Sequence, residues 1–305
     1  MKWRELLTEG AERLAAAGVP DAPHDASVLL RHAGGMDGPG AYILRAEEDA
    51  DPEAESLYRT LLARRAEREP LQYITGYAPF MGHLFRVRPG VLIPRFDTET
   101  LVMAALGCAK PGMKILDLCT GSGCVLLSVL AEMGGLEGAG TDISPDAIAV
   151  AKENAGQLGL SVQFREGDLF GALARQEDDD FPEALAQDIP PKYNEKNKDK
   201  EGWFDLIVSN PPYIAAEEIP FLMEEVAGFE PLQALDGGTD GLSFYRRIIP
   251  EARDHLVPGG SLMVEIGAGQ EAAVSSLFLE NGYSGIQEKK DLGGHVRVIA
   301  GTWNG

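Results

Sequence analysis

Apolar positions in residues 1–70 recur at helical spacing. Trp3, Leu6, Leu7, Ala11 and Leu14 fall on one face, and His24–Arg31 carries a second short apolar face. Asp51-Pro52 reads as an N-cap followed by proline at the first helical position, with Leu57, Leu61 and Leu62 on one face after it. This predicts three or so short helices, a scaffold or docking domain over 1–70 with nothing catalytic in it. The period changes over 71–94. There Tyr73–Tyr77 and Leu84–Val87 are β-rich runs separated by Pro79 and Gly82, predicting a hairpin that links two domains.

From Arg95 to the end, strand and helix patterns alternate. Lys114–Leu118 is a buried-strand run, followed by a glycine-rich turn and the apolar stretch Cys124–Met133. Further strands are predicted near Gly138–Asp142, Val162–Glu166 and Phe204–Ser209, and over Leu262–Ile266 after a Pro258-Gly259-Gly260 turn. A helix is predicted from Ser144-Pro145 to Leu158. The βαβ rhythm of residues 95–305 predicts the α/β class: a doubly wound, mostly parallel sheet that binds ligands at strand C-terminal ends. Residues 176–202 interrupt it. Their Asp178-Asp179-Asp180 run, Pro190-Pro191 pair and charged Lys192–Lys200 stretch predict a surface insertion.

Charge narrows the choice of partner. The chain has 305 residues, and 27 Lys and Arg against 48 Asp and Glu leave a net charge of −21. The 176–202 segment contributes −5 of this and the remainder −16. So acidic a chain is poorly suited to gripping long nucleic acid or an anionic membrane. No run of ~18 apolar residues predicts a membrane span, and the N-terminus lacks a signal-peptide core. Cys108, Cys119 and Cys124 show no C-x-x-C spacing, and the five histidines make no H-E-x-x-H pattern. The expectation is no disulfide framework, no metal site and a reducing cytoplasm.

Asp117-Leu118-Cys119-Thr120-Gly121-Ser122-Gly123 sits where a strand meets a helix. Glycines there permit a tight turn and close approach to a ligand. A dinucleotide fingerprint would need glycine at Leu126, and a phosphate loop would need Gly-Lys-Ser/Thr; neither is present. Asp142 ends the next strand and is placed to accept two ribose hydroxyls. Asp168 follows the third strand, placed to accept an adenine amine, with Leu169 and Phe170 placed to pack on the ring. Three acids at consecutive strand ends suit a nucleoside without phosphate. S-adenosylmethionine fits, being cationic at sulfur with a free ribose.

Asn210-Pro211-Pro212-Tyr213 follows the strand that strand counting puts beside the first. The Asn210 side-chain oxygen and the Pro211 carbonyl are two acceptors on a stiffened loop, and Tyr213 adds a flat face. They suit a planar –NH2 group on an amide or aromatic amine. Nitrogen gains positive charge as it attacks a methyl carbon, so acceptors favour the transition state over the ground state. No strong base is required.

These segments together resemble the HemK/PrmC family, the protein-(glutamine) methyltransferases that act on peptide chain release factors. The resemblance runs through the helical domain, Pro70–Gly76, Leu92–Glu99, Asp117–Gly123, Asn210–Ile214, Glu230–Leu232 and Leu235. It continues through Gly237-Gly238, Asp240–Leu242, Glu265–Gly267 and Asp291–Gly301. It implies a Rossmann-like, seven-stranded methyltransferase domain. It implies that S-adenosylmethionine, which leaves as S-adenosylhomocysteine, contacts Asp117, Cys119, Thr120, Gly121, Ser122, Gly123, Asp142, Asp168, Leu169 and Asn210. It also implies that Asn210, Pro211, Pro212 and Tyr213 hold the glutamine of a release factor's Gly-Gly-Gln loop, and that the enzyme is a cytoplasmic monomer. Arg95 and Glu99 line the pocket on this reading, or serve as a structural ion pair and cap. The chain departs from the family at Cys119, where glycine is usual, and at Leu169, often aromatic. The reacting motif is shared with adenine-amine methyltransferases, and the core motifs with glutamine methyltransferases of ribosomal proteins; the negative charge favours a protein substrate.

Overall fold

The computed structural model describes residues 1–173 and 202–305. The predicted 176–202 insertion therefore lies, apart from Gly202, outside the described residues. The described chain forms two compact units. One is Met1–Tyr77 with Leu222–Phe229, and the other is Ala78–Phe221 with Glu230–Gly305. The division falls at Tyr77/Ala78, later than the expected edge at residue 70. A short segment from beyond the reacting motif belongs to the first unit.

The first unit is helical: α1 (Trp3–Ala16), α2 (Ala22–Ala33), α3 (Gly38–Arg45), α4 (Pro52–Ala66), α5 (Leu71–Thr75) and the short helix Glu224–Phe229. Trp3, Leu6, Leu14, Leu29, Leu30, Tyr58 and Leu62 form its core. Asp51 caps α4 by accepting the Glu53 N–H. Arg65 is buried between two carboxylates, donating to Asp25 at 2.7 Å and to Glu225 at 2.9 Å, and Arg68 also holds Glu225.

The Tyr73–Tyr77 run is not a strand. Residues Leu71–Thr75 make one helical turn, closed by Gly76 in the left-handed region at φ 81°. The Pro70 carbonyl accepts the Ile74 N–H, so local turn chemistry overrides the β propensity of Tyr, Ile and Thr. The hairpin is shorter than its sequence pattern, with β1 at Tyr77–Phe80 and β2 at His83–Arg86. Within the second unit, Asn154 holds β2 by accepting the Arg86 N–H and donating to its carbonyl.

The second unit is built on a seven-stranded sheet. Its strands are β3 (Lys114–Leu118), β4 (Glu137–Asp142), β5 (Gln163–Glu166), β6 (Phe204–Ser209), β7 (Leu256–Glu265), β8 (Ser284–Lys290) and β9 (Val296–Thr302). The order is β5-β4-β3-β6-β7-β9-β8. The first five strands of that order run parallel, and β9 pairs antiparallel with β7 and β8. α6 (Glu99–Leu106), α7 (Cys124–Glu132) and α8 (Pro145–Leu158) follow the predicted βαβ rhythm. Ser144 caps α8 by accepting the Ala147 N–H. Pro258-Gly259-Gly260 does not precede its strand but interrupts it: β7 begins at Leu256, and its register against β6 shifts between Phe204 and Leu206. Gly259 and Trp303 on the β9 side satisfy the backbone there. Among the described residues, no helix is long and apolar enough to cross a membrane.

Strand order changes direction at β3 and β6, and ligands of such sheets bind outside the strand ends at that point. Leu118 pairs with Ser209, so the glycine loop and Asn210 leave the sheet side by side.

Candidate active site

A cavity of about 280 Å³ opens at these strand ends. Asp117, Cys119, Thr120, Gly121 and Ser122 line it from the glycine loop, and Asp142, Asp168 and Leu169 from the next two strand ends. Asn210 and Pro212 line it from the reacting motif. Four anticipated residues stand elsewhere. Gly123 begins α7, and a side chain there would meet Leu127 and Ala151. Pro211 is buried. Tyr213 packs against the core cluster behind the motif. Phe170 is a core residue stacked on His255, with ring centroids 4.4 Å apart, and is not a wall of the cavity.

The loop is held by its own polar groups. The Thr120 hydroxyl donates to Asp117 at 2.6 Å. Burial pushes the Asp117 carboxyl up to about 7 against that hydrogen bond. Asp142 accepts the Gly121 N–H on one oxygen and the Ser144 N–H on the other, at 2.8 and 2.9 Å. Each oxygen keeps further acceptor capacity toward the cavity. Burial raises the Asp142 pKa, against those backbone donors. Asp168 is paired with Arg247 at 2.6 Å. Arg247 was not anticipated, and neither was Ile143, an exposed apolar side chain that lines the cavity beside Asp142.

Cys119 and Leu169 both have positive φ, 57° and 50°, in a region that disfavours side chains. This explains why glycine suits the first position. The Cys119 side chain packs against the core cluster. Burial, with Asp142 and Asp117 nearby, pushes its thiol pKa far up, so it is a poor nucleophile.

Asn210 is oriented by a residue that carried no role in the sequence reading. Its Nδ2 donates to Thr98 Oγ1 at 3.1 Å, which leaves Oδ1 as an acceptor. Thr98 is buried and also lines the cavity. Tyr213 is pinned twice. Gln270 Nε2 donates to its carbonyl at 2.9 Å, and its hydroxyl donates to Glu265 at 3.4 Å. Gly237 and Gly241 let other backbone come close to it; a Cβ on Gly237 would stand 2.8 Å from the Tyr213 Cα. Arg95 lines the cavity with its charge answered by Glu230, which also accepts the Ile93 N–H. Glu99 accepts the Met81 N–H and closes the hairpin turn instead of facing the cavity.

The donor set fits a nucleoside sulfonium. Asp142 has room for two hydroxyl donors. Arg95 is paired with Glu230 and Arg247 shares its charge with Asp168, so among the described residues that line the cavity no free cation waits for a phosphate. Among the described residues, nothing stands within 4 Å of a Cβ built on Gly121, which lines the cavity.

Strand order, glycine loop and acidic strand ends define an S-adenosylmethionine-dependent methyltransferase, and residues 109–266 match a methyltransferase domain. Residues 5–76 match the PrmC N-terminal domain. The chain is 41% identical to the release factor glutamine methyltransferase of Geobacter sulfurreducens, covering 98% of this chain and 95% of the relative. It is 40% identical to that of Cereibacter sphaeroides, covering 98% of each. A solved protein-(glutamine-N5) methyltransferase (release factor-specific) from Alicyclobacillus acidocaldarius is 27% identical over 72% of this chain and 100% of that one, with a TM-score of 0.39. The chain belongs to the release factor glutamine methyltransferase family.

Proposed function

We propose that this enzyme methylates the side-chain amide nitrogen of the glutamine in the Gly-Gly-Gln loop of a peptide chain release factor. The observation that carries the reading is the orientation of Asn210. Thr98 takes its amide N–H, which leaves the oxygen of a cavity-lining residue as a fixed acceptor. Similarity to release factor glutamine methyltransferases over nearly the whole chain supports the same substrate.

S-adenosylmethionine, when bound, supplies an electrophilic methyl group on a cationic sulfur. Asp142 holds the ribose hydroxyls on its free lone pairs. Asp168, steadied by Arg247, accepts the adenine amine, and Leu169 and Ile143 flank the ring. The acidic wall favours the sulfonium charge. Asn210 Oδ1 and the Pro211 carbonyl accept the two N–H groups of the glutamine amide and turn its lone pair toward the methyl carbon. An amide lone pair is delocalised and weakly nucleophilic, so orientation supplies much of the rate. The two acceptors bind more strongly as the nitrogen becomes positive. The proton then leaves to solvent, so the site needs no dedicated base. Tyr213 acts from behind, as a support for the motif.

All three cysteines are free, which suits the cytoplasm. The test is transfer of labelled methyl from S-adenosylmethionine to unmethylated release factor. Incorporation that disappears when the substrate's Gly-Gly-Gln glutamine is replaced supports the reading, and incorporation that survives the replacement refutes it.

A further inference from the structure

Glu265 ends β7 and is 1% exposed, yet the mechanism above assigns it nothing. Its carboxyl lies behind the reacting motif. Oε1 accepts the Tyr213 hydroxyl at 3.4 Å, and Oε2 is buried with no hydrogen-bond partner among the described residues. The Thr98 side chain also bears on this carboxyl and lowers its pKa, and Thr98 is the group that holds the Asn210 amide. The backbone carbonyl of Glu265 is fixed by the Tyr245 hydroxyl at 2.8 Å. A buried carboxyl costs several kcal/mol unless it is paired or has a use. Arg297, whose charge bears on Glu265, is already divided between Asp97 and Asp291, at 2.8 Å each. An ion pair therefore does not account for Glu265.

We infer that Glu265 is a positioning residue for methyl transfer: its carboxyl holds Tyr213 directly and Asn210 through Thr98, keeping the acceptor pair in register. This rests on the proposed function for its kinetic consequence. Three features make the arrangement sensitive to the side chain. The Tyr213 hydroxyl has Glu265 as its acceptor. Gly267, two residues on, packs against the Tyr213 ring, where a Cβ would stand 3.1 Å from Cδ2. Gln270 fixes the Tyr213 carbonyl from the same turn. The end of β7 thus grips Tyr213 at ring, hydroxyl and backbone.

Charge state matters to this grip. Burial pushes Glu265 up to about 7, against the Thr98 and Tyr213 hydroxyls and Arg297, while Asp97 reinforces the rise. Cys124 and Tyr245 also feel its charge. The carboxylate form accepts better, so the rate should fall as pH drops through the neutral range.

The experiment compares Glu265→Ala, Glu265→Gln and Tyr213→Phe in the full-length protein. Glu265→Ala is expected to lower kcat about 10- to 100-fold, the size of a lost hydrogen bond to a charged group. Affinity for S-adenosylmethionine should stay within about threefold. Glu265→Gln, which keeps an acceptor, should recover most of the rate and lose the neutral-range pH limb. If Glu265→Ala does not fold, a double-mutant cycle of Tyr213→Phe with Glu265→Leu, which fills the space without an acceptor, decides. Non-additive losses support the coupling, and additive losses overturn it. Unchanged kcat in Glu265→Ala also overturns it. The Asn210 side-chain amide resonance, read by nuclear magnetic resonance without substrate, should move in Glu265→Ala; a static resonance counts against the relay. A wild-type enzyme that leaves release factor unmethylated refutes the substrate reading, while the amide resonance still tests the coupling.

Discussion

The Asn210 amide is held through its nitrogen by the Thr98 hydroxyl, 112 residues away in sequence and 3.1 Å away in space. That bond engages the nitrogen end of the amide and leaves Oδ1 as the acceptor. Asn210→Ala should abolish methyl transfer while affinity for S-adenosylmethionine falls much less. Thr98→Val should keep the fold but free the amide to turn, lowering kcat about tenfold. Steady-state rates paired with calorimetric cofactor titration separate the two effects. A near wild-type rate in Asn210→Ala would remove the residue from the reaction.

Asp142 serves two sets of donors. Replacing it with alanine strips the Gly121 and Ser144 N–H groups of their acceptor as well as the ribose hydroxyls. S-adenosylmethionine binding should weaken by about 1.5–3 kcal/mol, as for hydrogen bonds to a charged group. Calorimetry that finds unchanged affinity would place the nucleoside elsewhere.

Cys119 is a side chain where backbone geometry asks for none. Cys119→Gly relieves about 1–2 kcal/mol of left-handed strain. It also restores about 0.5–1 kcal/mol of chain entropy to the unfolded state and gives up thiol packing. Thermal melting should move by only a few degrees, and methyl transfer should be unchanged. A collapse of activity would mean the thiol takes part.

In the helical unit, Arg65 sits buried between Asp25 and Glu225. Arg65→Ala leaves two carboxylates behind and should destabilise this unit by about 3–5 kcal/mol. Burial acts to raise Glu225, but hydrogen bonds from Arg68 and Arg65 outweigh it and hold the pKa at about 2, below the ordinary 4.5. That stabilisation is complete above pH 4.5 and is lost as pH falls toward 2. Chemical denaturation of wild type and Arg65→Ala across this acid range should draw closer as Glu225 protonates.

Much of this architecture is legible in the sequence, and the reason is periodic. The βαβ rhythm puts β6 beside β3, which brings Asn210 to the glycine loop without any knowledge of contacts. Asp142 and Asp168 follow because strand ends share one edge. What escapes depends on local turns and on register. Tyr73-Ile74-Thr75 looks like a strand but is one helical turn, closed by Gly76. Phe170 seems poised for an adenine ring but stacks on His255, a partner 85 residues away that no spacing rule connects. Glu265 and Tyr213 meet in a register that shifts between β6 and β7 across the Pro258-Gly259-Gly260 turn, which no spacing rule supplies. Gly237 and Gly241 stand out as glycines, yet only the Tyr213 backbone beside them explains why. Gly237→Ala should therefore lower kcat at least tenfold through a displaced Tyr213, with cofactor affinity retained.

The central claim is tested most directly by locating the methyl group. Purified enzyme, labelled S-adenosylmethionine and unmethylated release factor are incubated, with duplex DNA and ribosomal protein in parallel reactions. The products are digested and read by tandem mass spectrometry. The account predicts a single added methyl on the side-chain nitrogen of the Gly-Gly-Gln glutamine. Label found only on DNA or on a ribosomal protein would contradict it.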